Sequence, residues 1–271
     1  MEEFAMPSLT ERYGQTALIT GASSGIGRAF AHALAACGFD LVLVARRKAL
    51  LEELSLELSK ACNCHALVRE ADLSSAEDID ALLAGLGELE IDLLVSNAGF
   101  GLKGPFEAGD LGRQISMVNT NVIAPLMLCY HLLPGMKKRG RGGIIITGSI
   151  EGETGFPWST SYAATKAFVH QLGGGLWAEC RGTGVDVLVL APGSTDTDAP
   201  RLQGISDDQL IGVMSPERVA KEALEQLGKR PLWIPGWHNR LFIRLLRVLP
   251  RGFSLKMAGV GMKKAIDNSQ R

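Results

Sequence analysis

The chain has 271 residues, of which 46% are hydrophobic and 21% are charged, and this balance excludes a disordered protein and fits one packed domain. Its formal net charge of -1 provides no overall field that would favour binding to nucleic acid. The N-terminal stretch is acidic and the chain has five cysteines, an odd count, so we predict reduced thiols in a cytoplasmic protein. We predict no spanning helix, because the sequence shows no apolar run of ~18–20 residues.

Short apolar runs alternate along the chain with segments in which Leu and Ala recur at helical spacing. Continuous apolar runs are typical of parallel strands, because such strands are buried on both faces. The alternation favours right-handed crossovers, so we predict a Rossmann-like, doubly wound parallel sheet in three α/β/α layers. The predicted strands cover residues 15–20, 40–45, 65–69, 91–95, 143–147, 185–190 and 231–234, and the predicted helices cover 28–37, 49–60, a segment capped by Ser74 or Ser75, 111–138, 157–179 and 215–228.

A glycine-rich loop, TGASSGIG, joins the first predicted strand to the first predicted helix. Gly21 can make the tight turn, Gly25 allows the backbone to approach a pyrophosphate, and Gly27 allows the helix to pack close to the strand. The N-terminus of this helix presents free N–H groups and a positive dipole end to phosphate. We therefore predict a dinucleotide site, formed here by Gly21, Ser23, Ser24, Gly25, Ile26 and Gly27.

Two arginines follow the second predicted strand, where sites for NAD place an acidic residue on the ribose. A guanidinium pairs well with a phosphate, whereas a carboxylate would repel one. Arg46 and Arg47 therefore favour NADP(H) over NAD(H). The alternative is that they only begin a solvated helix, an interpretation that fits at least one of them.

The segment SYAATK places Tyr162 and Lys166 at positions i and i+4 of a predicted helix, so their side chains share one face. Free tyrosine has a pKa of about 10, which is high for proton transfer at neutral pH, and a nearby ammonium lowers it. This pattern alone is common by chance. Ser149, at the end of the fifth predicted strand, adds a hydroxyl thirteen residues before Tyr162.

Together with the glycine-rich loop, these residues resemble the classical short-chain dehydrogenase/reductase family over about residues 13–234. The resemblance implies hydride transfer between a nicotinamide and a carbonyl or alcohol, with Tyr162 as acid/base, Ser149 on the carbonyl oxygen and Lys166 on the nicotinamide ribose. It also implies that Asn121 holds a water that connects Lys166 to solvent, with Asn119 as a competing candidate. The further cofactor contacts that it implies are Asp72 and Leu73 at the adenine, Asn97, Ala98 and Gly99 after the fourth strand, Pro192, Gly193, Thr195 and Thr197 near the nicotinamide, and Tyr162 and Lys166 themselves.

Three segments shape the substrate site in this family, here residues 100–106, 150–159 and 194–214, the last of which is a candidate lid. Apolar walls are predicted from Phe100, Leu102, Phe156 and Trp158. Such walls suit a lipophilic substrate such as a 3-oxoacyl chain, a steroid or an aromatic ketone, but the same side chains could equally well only pack the loops. Glu151 and Glu153 could instead face water, and the lone histidines, including His170, are interpreted as non-catalytic.

The end of the chain, residues 237–271, is predicted to be a basic helical appendage to a single domain that spans residues 1–236. Four arginines recur at intervals of three and four between positions 240 and 251, with leucines on the other side of the helix. A basic amphipathic helix can lie on an anionic membrane surface. It can also cover a substrate pocket, dock on a neighbouring subunit or remain an ordinary solvated helix.

Other interpretations also remain open at this stage. The same fold could serve an NADP(H)-binding redox sensor, an NAD-linked alcohol dehydrogenase or a membrane-recruited scaffold. The family implies a homodimer or homotetramer, paired through the long helices after the fourth and fifth strands. Gly173, Gly174 and Gly175 in the second of these helices either permit close contact or break the helix. No metal site is predicted, because Cys62 and Cys64 have no second pair at zinc spacing.

Overall fold

The structure is a computed structural model that describes residues 7–197 and 212–269. The strands are β1 (Thr16–Thr20), β2 (Asp40–Ala45), β3 (Ala66–Glu70), β4 (Leu93–Ser96), β5 (Gly142–Thr147), β6 (Val185–Leu190) and β7 (Leu232–Trp233). The helices are α1 (Pro7–Tyr13), α2 (Gly25–Ala36), α3 (Lys48–Cys62), α4 (Ala76–Leu86), α5 (Leu111–Val118), α6 (Ala124–Arg139), α7 (Thr160–Glu179), α8 (Pro216–Gln226), α9 (Trp237–Val248) and α10 (Arg251–Ser269).

All seven strands are parallel and form one sheet in the order β3-β2-β1-β4-β5-β6-β7. This confirms the predicted doubly wound sheet with a C-terminal helical appendage. Because β1 lies between β2 and β4, the strands before and after this point are added on opposite sides of β1, and the strand order reverses here. The carboxyl ends of β1 and β4 therefore border the crevice in which open α/β sheets bind their ligands.

Two buried clusters cover the two faces of the sheet, because successive strand side chains point to opposite sides. Ile19 and Leu43 face the layer that contains α2, α3 and α8. Leu18 and Val44 face the layer that contains α4, α6 and α7. Every residue of β4 and β5 is buried, as expected for central parallel strands.

Two predicted helices differ in detail from those observed. The helix predicted for residues 157–179 begins only at Thr160, because the preceding residues form a turn in which Trp158 has a φ of 66°. The helix predicted for residues 111–138 is continuous but contains a π-helical turn at Asn119–Ile123. By length and composition alone, the run Leu111–Arg139 contains a stretch apolar enough to span a membrane, contrary to the sequence expectation. It nevertheless packs against the sheet, with Leu128 and Met136 buried, as a covering helix of this fold.

Helix α7 runs without a break through its three consecutive glycines, which answers one of the questions left by the sequence. A Cβ on Gly173 would lie 2.2 Å from Val189 Cγ2 of β6, whereas Gly174 has no neighbour that such an atom would meet. Gly173 therefore permits close packing of α7 on the sheet.

We expect Gly173→Ala to lower the free energy of unfolding by about 1–3 kcal/mol, because the added methyl group overpacks the contact with Val189. The matched variant Gly174→Ala should instead raise it by up to about 1 kcal/mol, because a methyl group there meets no other atom and alanine has the higher helix propensity. Urea denaturation of the two variants measures both changes. Equal effects of the two substitutions would contradict the packing argument.

The C-terminal helices α9 and α10 pack on the segment between Ser149 and Tyr162. Ile243, Leu246 and Ala258 form a third buried cluster with Phe156 of that segment. A Cβ on Gly259 would lie 3.1 Å from Pro157, so the approach is close. The appendage therefore packs on a segment that is expected to shape the substrate site.

Candidate active site

The glycine-rich loop lies at the carboxyl end of β1 and leads directly into α2. Gly25 has a φ of +55°, and a Cβ on it would lie 2.9 Å from the side chain of Thr197. A Cβ on Gly27 would lie 2.2 Å from the carbonyl oxygen of Gly21. The loop is thus a tight backbone cradle at a helix N-terminus, which fits a bound pyrophosphate.

The two arginines after β2 take different positions. The Arg47 guanidinium donates hydrogen bonds to Ser23 Oγ at 3.1 Å and to Ser24 Oγ at 2.8 Å, both in the glycine-rich loop. The Arg46 side chain is 70% exposed and lies 3.9 Å from Asp72. Arg47 and the two hydroxyls therefore form a cationic, hydrogen-bonding corner beside the loop, and Arg46 flanks it.

The Asn97-Ala98-Gly99 motif fastens the end of β4 to the end of β1. The backbone N–H groups of Asn97 and Ala98 both donate to Thr20 Oγ1, each at 2.9 Å. The Asn97 side chain donates to the Thr20 carbonyl at 3.2 Å and accepts from Thr147 Oγ1 at 3.3 Å. These bonds hold the two edges of the crevice together. Leu73, which follows β3, is buried in the layer that contains α4, α6 and α7.

Tyr162, Lys166 and Ser149 converge at the carboxyl end of β5. Lys166 Nζ lies 5.6 Å from the centroid of the Tyr162 ring and donates to the Thr147 carbonyl at 2.8 Å. Burial lowers the pKa of Lys166 to about 8, against the opposing effect of the Glu151 carboxylate. Burial also raises the pKa of Tyr162, Glu151 raises it further, and the hydrogen bond with the Ser149 side chain lowers it. The net shift of the Tyr162 pKa is therefore upward, opposite to the lowering that the sequence predicts from Lys166.

Asn121 sits in the π-helical turn between α5 and α6, a device that often marks functional sites. Its side chain donates to the Phe100 carbonyl at 2.9 Å and to Thr165 Oγ1 at 3.0 Å, and it accepts from the Phe100 N–H at 3.1 Å. A Cβ on Gly99 would lie 2.9 Å from Asn121 Oδ1 and 3.3 Å from Lys166 Nζ, so Asn121 and Lys166 flank the same glycine. Asn119, the competing candidate, bonds the Ser74 carbonyl instead.

The residues after β6 close the other side of the crevice. Pro192 accepts a hydrogen bond from the Ile150 N–H at 3.0 Å, and Thr195 Oγ1 donates to the Gly193 carbonyl at 3.1 Å. A Cβ on Gly193 would lie 2.6 Å from Asn239 of α9, so the appendage supports this segment too. Of the candidate lid, residues 198–211 lie outside the described residues.

The expectation that Glu151 and Glu153 could face water is wrong, because their side chains are only 16% and 7% exposed and both carboxylates are paired. Glu151 pairs with Lys103, whose Nζ lies 2.6 Å from Oε1. Glu153 pairs with His170 at 3.3 Å and with Arg247 of α9. Burial raises the pKa of Glu153, but hydrogen bonds from His170 and Arg247 outweigh it and leave that pKa below its usual range.

The sequence assigned no individual role to Lys103 or to His170. The His170 Nε2 atom accepts a hydrogen bond from the Ser149 N–H at 3.4 Å, so a buried histidine supports the backbone of a candidate catalytic residue. Lys103 lies over the ring of Tyr162. The only sequence signals for a role were that Lys103 lies in a substrate-shaping segment and that His170 lies on the same helix as Tyr162. Phe156, predicted to form an apolar wall, is instead packed beneath α9.

Among residues 7–197 and 212–269, no three His, Cys, Asp or Glu side chains are grouped so as to hold a metal ion. The phosphate cradle, the half-buried Tyr162, the buried Lys166 and the switch point of the sheet together define a nicotinamide-dependent oxidoreductase of the Rossmann type. The family model described as short chain dehydrogenase matches residues 15–205. The chain belongs to the short-chain dehydrogenase/reductase family.

Relatives of known activity match most of the chain. A 7beta-hydroxysteroid dehydrogenase of Clostridium sardiniense is 34% identical over 231 residues, which cover 85% of this chain and 88% of the relative. A solved 7beta-hydroxysteroid dehydrogenase superposes with a TM-score of 0.87 at 28% identity, over 92% of this chain and 98% of that chain. A short-chain dehydrogenase from Sphingobium yanoikuyae in complex with NADPH has a TM-score of 0.78 at 31% identity, over 87% of this chain and 96% of that chain.

Proposed function

We propose that this protein is an NADP(H)-dependent oxidoreductase that interconverts a carbonyl group and the matching secondary alcohol of a lipophilic substrate. The observation that carries this proposal is the convergence of Tyr162, Ser149 and Lys166 beside the phosphate cradle. The cofactor, when bound, supplies or accepts the hydride. The protein supplies position, hydrogen bonds and a proton.

The chain's own residues divide this work. In the direction of reduction, the Tyr162 hydroxyl donates its proton to the substrate oxygen as negative charge develops there. The Ser149 hydroxyl donates a hydrogen bond to the same oxygen and holds it within reach of Tyr162. Lys166 binds the nicotinamide ribose, and its ammonium favours the phenolate that proton donation leaves on Tyr162. Asn121 orders the water through which Lys166 and Tyr162 regain a proton from solvent.

The cofactor preference is proposed from the corner formed by Arg47, Ser23 and Ser24. A guanidinium and two hydroxyls fit a 2′-phosphate by charge-assisted hydrogen bonds, which are stronger than neutral ones. Asp72 and Leu73 would border the adenine. Gly99 and the Pro192–Thr197 segment would border the nicotinamide. The NADPH complex of the relative from Sphingobium yanoikuyae supports this choice.

We expect Arg47→Ala to weaken NADPH binding about 10- to 100-fold, because one charge-assisted contact is worth about 1.5–3 kcal/mol. NADH binding should change less than about threefold, since NADH has no 2′-phosphate. Fluorescence titration with both cofactors measures the ratio. Arg46→Ala is the matched control and should have a smaller effect, because its side chain is mostly exposed. Tighter binding of NADH than NADPH by the wild type would favour the alternative, an NAD-linked alcohol dehydrogenase.

We propose a steroid or a compound of similar bulk and polarity as the substrate class. The 7beta-hydroxysteroid dehydrogenase of Clostridium sardiniense supports a steroid. Phe100, Leu102 and Trp158 are half-buried in the two loops beside Tyr162. A panel of steroid, 3-oxoacyl and aryl ketones tests the class. NADPH binding without turnover of any of them would favour the redox-sensor alternative.

We propose a homodimer or homotetramer formed through the α5–α6 and α7 surfaces. Large apolar side chains there are exposed in the single chain, among them Ile115, Tyr130 and Phe168. An exposed apolar patch of this kind is typical of a protein interface. Sedimentation analysis would give the mass, and a monomer would contradict the proposal.

We also propose a cytoplasmic protein that can contact anionic membranes through residues 240–251. Residues 237–266 contain seven Lys and Arg and no Asp or Glu. Trp237, Leu241, Leu245 and Val248 lie exposed along one side of α9. Co-sedimentation with anionic vesicles tests this contact, and Leu241→Glu should abolish it without disturbing the buried Ile243 and Leu246.

A further inference from the structure

Lys103 and Glu151 come from the two loops that border the substrate site, and they meet beside the ring of Tyr162. Lys103 Nζ lies 2.6 Å and 2.8 Å from the two carboxylate oxygens of Glu151 and 2.8 Å from Ser159 Oγ. The Lys103 side chain is only 3% exposed. An ammonium has three N–H donors, so these three acceptors use them fully.

The ion pair of Lys103 and Glu151 links the two loops and also lies beside the ring of Tyr162. Lys103 Nζ is 5.1 Å from the centroid of the Tyr162 ring, closer than Lys166 Nζ at 5.6 Å. The neighbouring Gly104 N–H donates to the Trp158 carbonyl at 2.8 Å, a second link between the same loops. Tyr162 thus lies among two ammonium groups and one carboxylate.

The other polar groups near Tyr162 are neutral or already paired. The Ser149 hydroxyl is neutral and lowers the pKa of Tyr162. His170 lies two helical turns further along α7, with Nδ1 on Glu153 and Nε2 on the Ser149 N–H. Arg247 reaches Glu153 from α9. Among the described residues, Lys103 and Lys166 are the ammonium groups that lie over the Tyr162 ring, and Glu151 is the carboxylate that raises the pKa of its hydroxyl.

We propose that Lys103 and Glu151 are positioning residues for the reaction of Tyr162, which they influence by setting the charge at the tyrosine and by fixing the two loops around it. This inference rests on the proposed function, in which Tyr162 is the proton donor. Neither residue has to touch the substrate. The Ser159 hydroxyl completes the arrangement by bonding both partners, and it donates to Glu151 at 2.5 Å.

The two partners act on the tyrosine with opposite signs. The Glu151 carboxylate raises the pKa of both Tyr162 and Lys166. Removal of the Glu151 charge therefore lowers both pKa values of the coupled pair Tyr162 and Lys166, whichever of the two residues loses its proton first. Removal of the Lys103 charge has the reverse effect. At about 5 Å and an effective dielectric constant of about 20, a unit charge contributes about 3 kcal/mol, which corresponds to a pKa change of about two units.

The test compares the pH dependence of kcat/KM for ketone reduction in Glu151→Gln and Lys103→Met. We expect the alkaline limb to move down by about one to two pH units in Glu151→Gln and up by a similar amount in Lys103→Met. The double variant should return close to the wild-type profile, because it removes both charges, and it also avoids a buried unpaired ion. Ser159→Ala, which changes no charge, should lower the rate without moving the limb.

A second readout does not depend on turnover. The chain has three tyrosines, so ζ-13C-tyrosine labelling gives three resonances, and Tyr162→Phe assigns one of them. In the cofactor-free chain, the Tyr162 resonance should begin to titrate at lower pH in Glu151→Gln than in Lys103→Met. If wild-type protein reduces no ketone but these onsets differ as stated, the proposed function fails and the charge effect stands. Shifts in the same direction for both single variants, or none, would overturn the inference.

Discussion

Replacement of Tyr162 with phenylalanine is expected to lower kcat/KM for ketone reduction by at least about a hundredfold, because the variant has no hydroxyl to donate a proton. Phenylalanine keeps the ring that packs between Lys103 and Lys166. NADPH affinity should therefore stay within about twofold of the wild type, since only the proton transfer is lost. Steady-state kinetics and a fluorescence titration on the same preparation measure both quantities.

The matched control is Tyr130→Phe, which removes the same hydroxyl from a residue of α6 that is 74% exposed. It should leave the rate within about twofold. Equal activity of Tyr162→Phe and wild type would rule out Tyr162 as the proton donor. A joint loss of activity and cofactor binding would indicate a structural defect instead.

Replacement of Lys166 with methionine is expected to abolish turnover and at the same time to stabilise the cofactor-free protein. The difference between the ordinary pKa of 10.5 and the folded value of about 8 corresponds to a cost of about 3 kcal/mol for keeping the buried ammonium charged at pH 7. Methionine removes this cost but loses the hydrogen bond to the Thr147 carbonyl, worth about 1 kcal/mol. We expect a net gain of about 1–2 kcal/mol in the free energy of unfolding.

The pH dependence of this gain identifies its cause. Below about pH 8, Lys166 is protonated in the folded and the unfolded chain, so the cost is fully present. Between about 8 and 10.5 the folded chain has lost this proton while the unfolded chain still binds it, so the wild type becomes more stable as pH rises. The advantage of Lys166→Met should therefore shrink from pH 7 to pH 10 in urea denaturation. The exposed control Lys60→Met should show no such trend.

Several features of the fold and site follow from short-range patterns in the sequence. Val185–Leu190 was predicted with the observed bounds, because a parallel strand buried on both faces is a continuous apolar run. The glycine-rich loop was placed at the carboxyl end of β1, because its spacing has meaning only between a strand and a helix. Tyr162 and Lys166 share a face of α7 for the same local reason, the period of the helix.

The sequence by itself therefore determined the sheet, the phosphate loop and the family, since each depends on spacing within a few residues. Only the tertiary structure decided which charges meet. It paired Lys103 with Glu151 across 48 positions, brought Arg47 rather than Arg46 to the loop, and set Arg247 of α9 on Glu153. The physical reason is that the partner of a charged side chain depends on how distant loops pack against each other. An unpaired charge becomes costly only where the folded chain excludes water, so the pairing is decided by the tertiary structure.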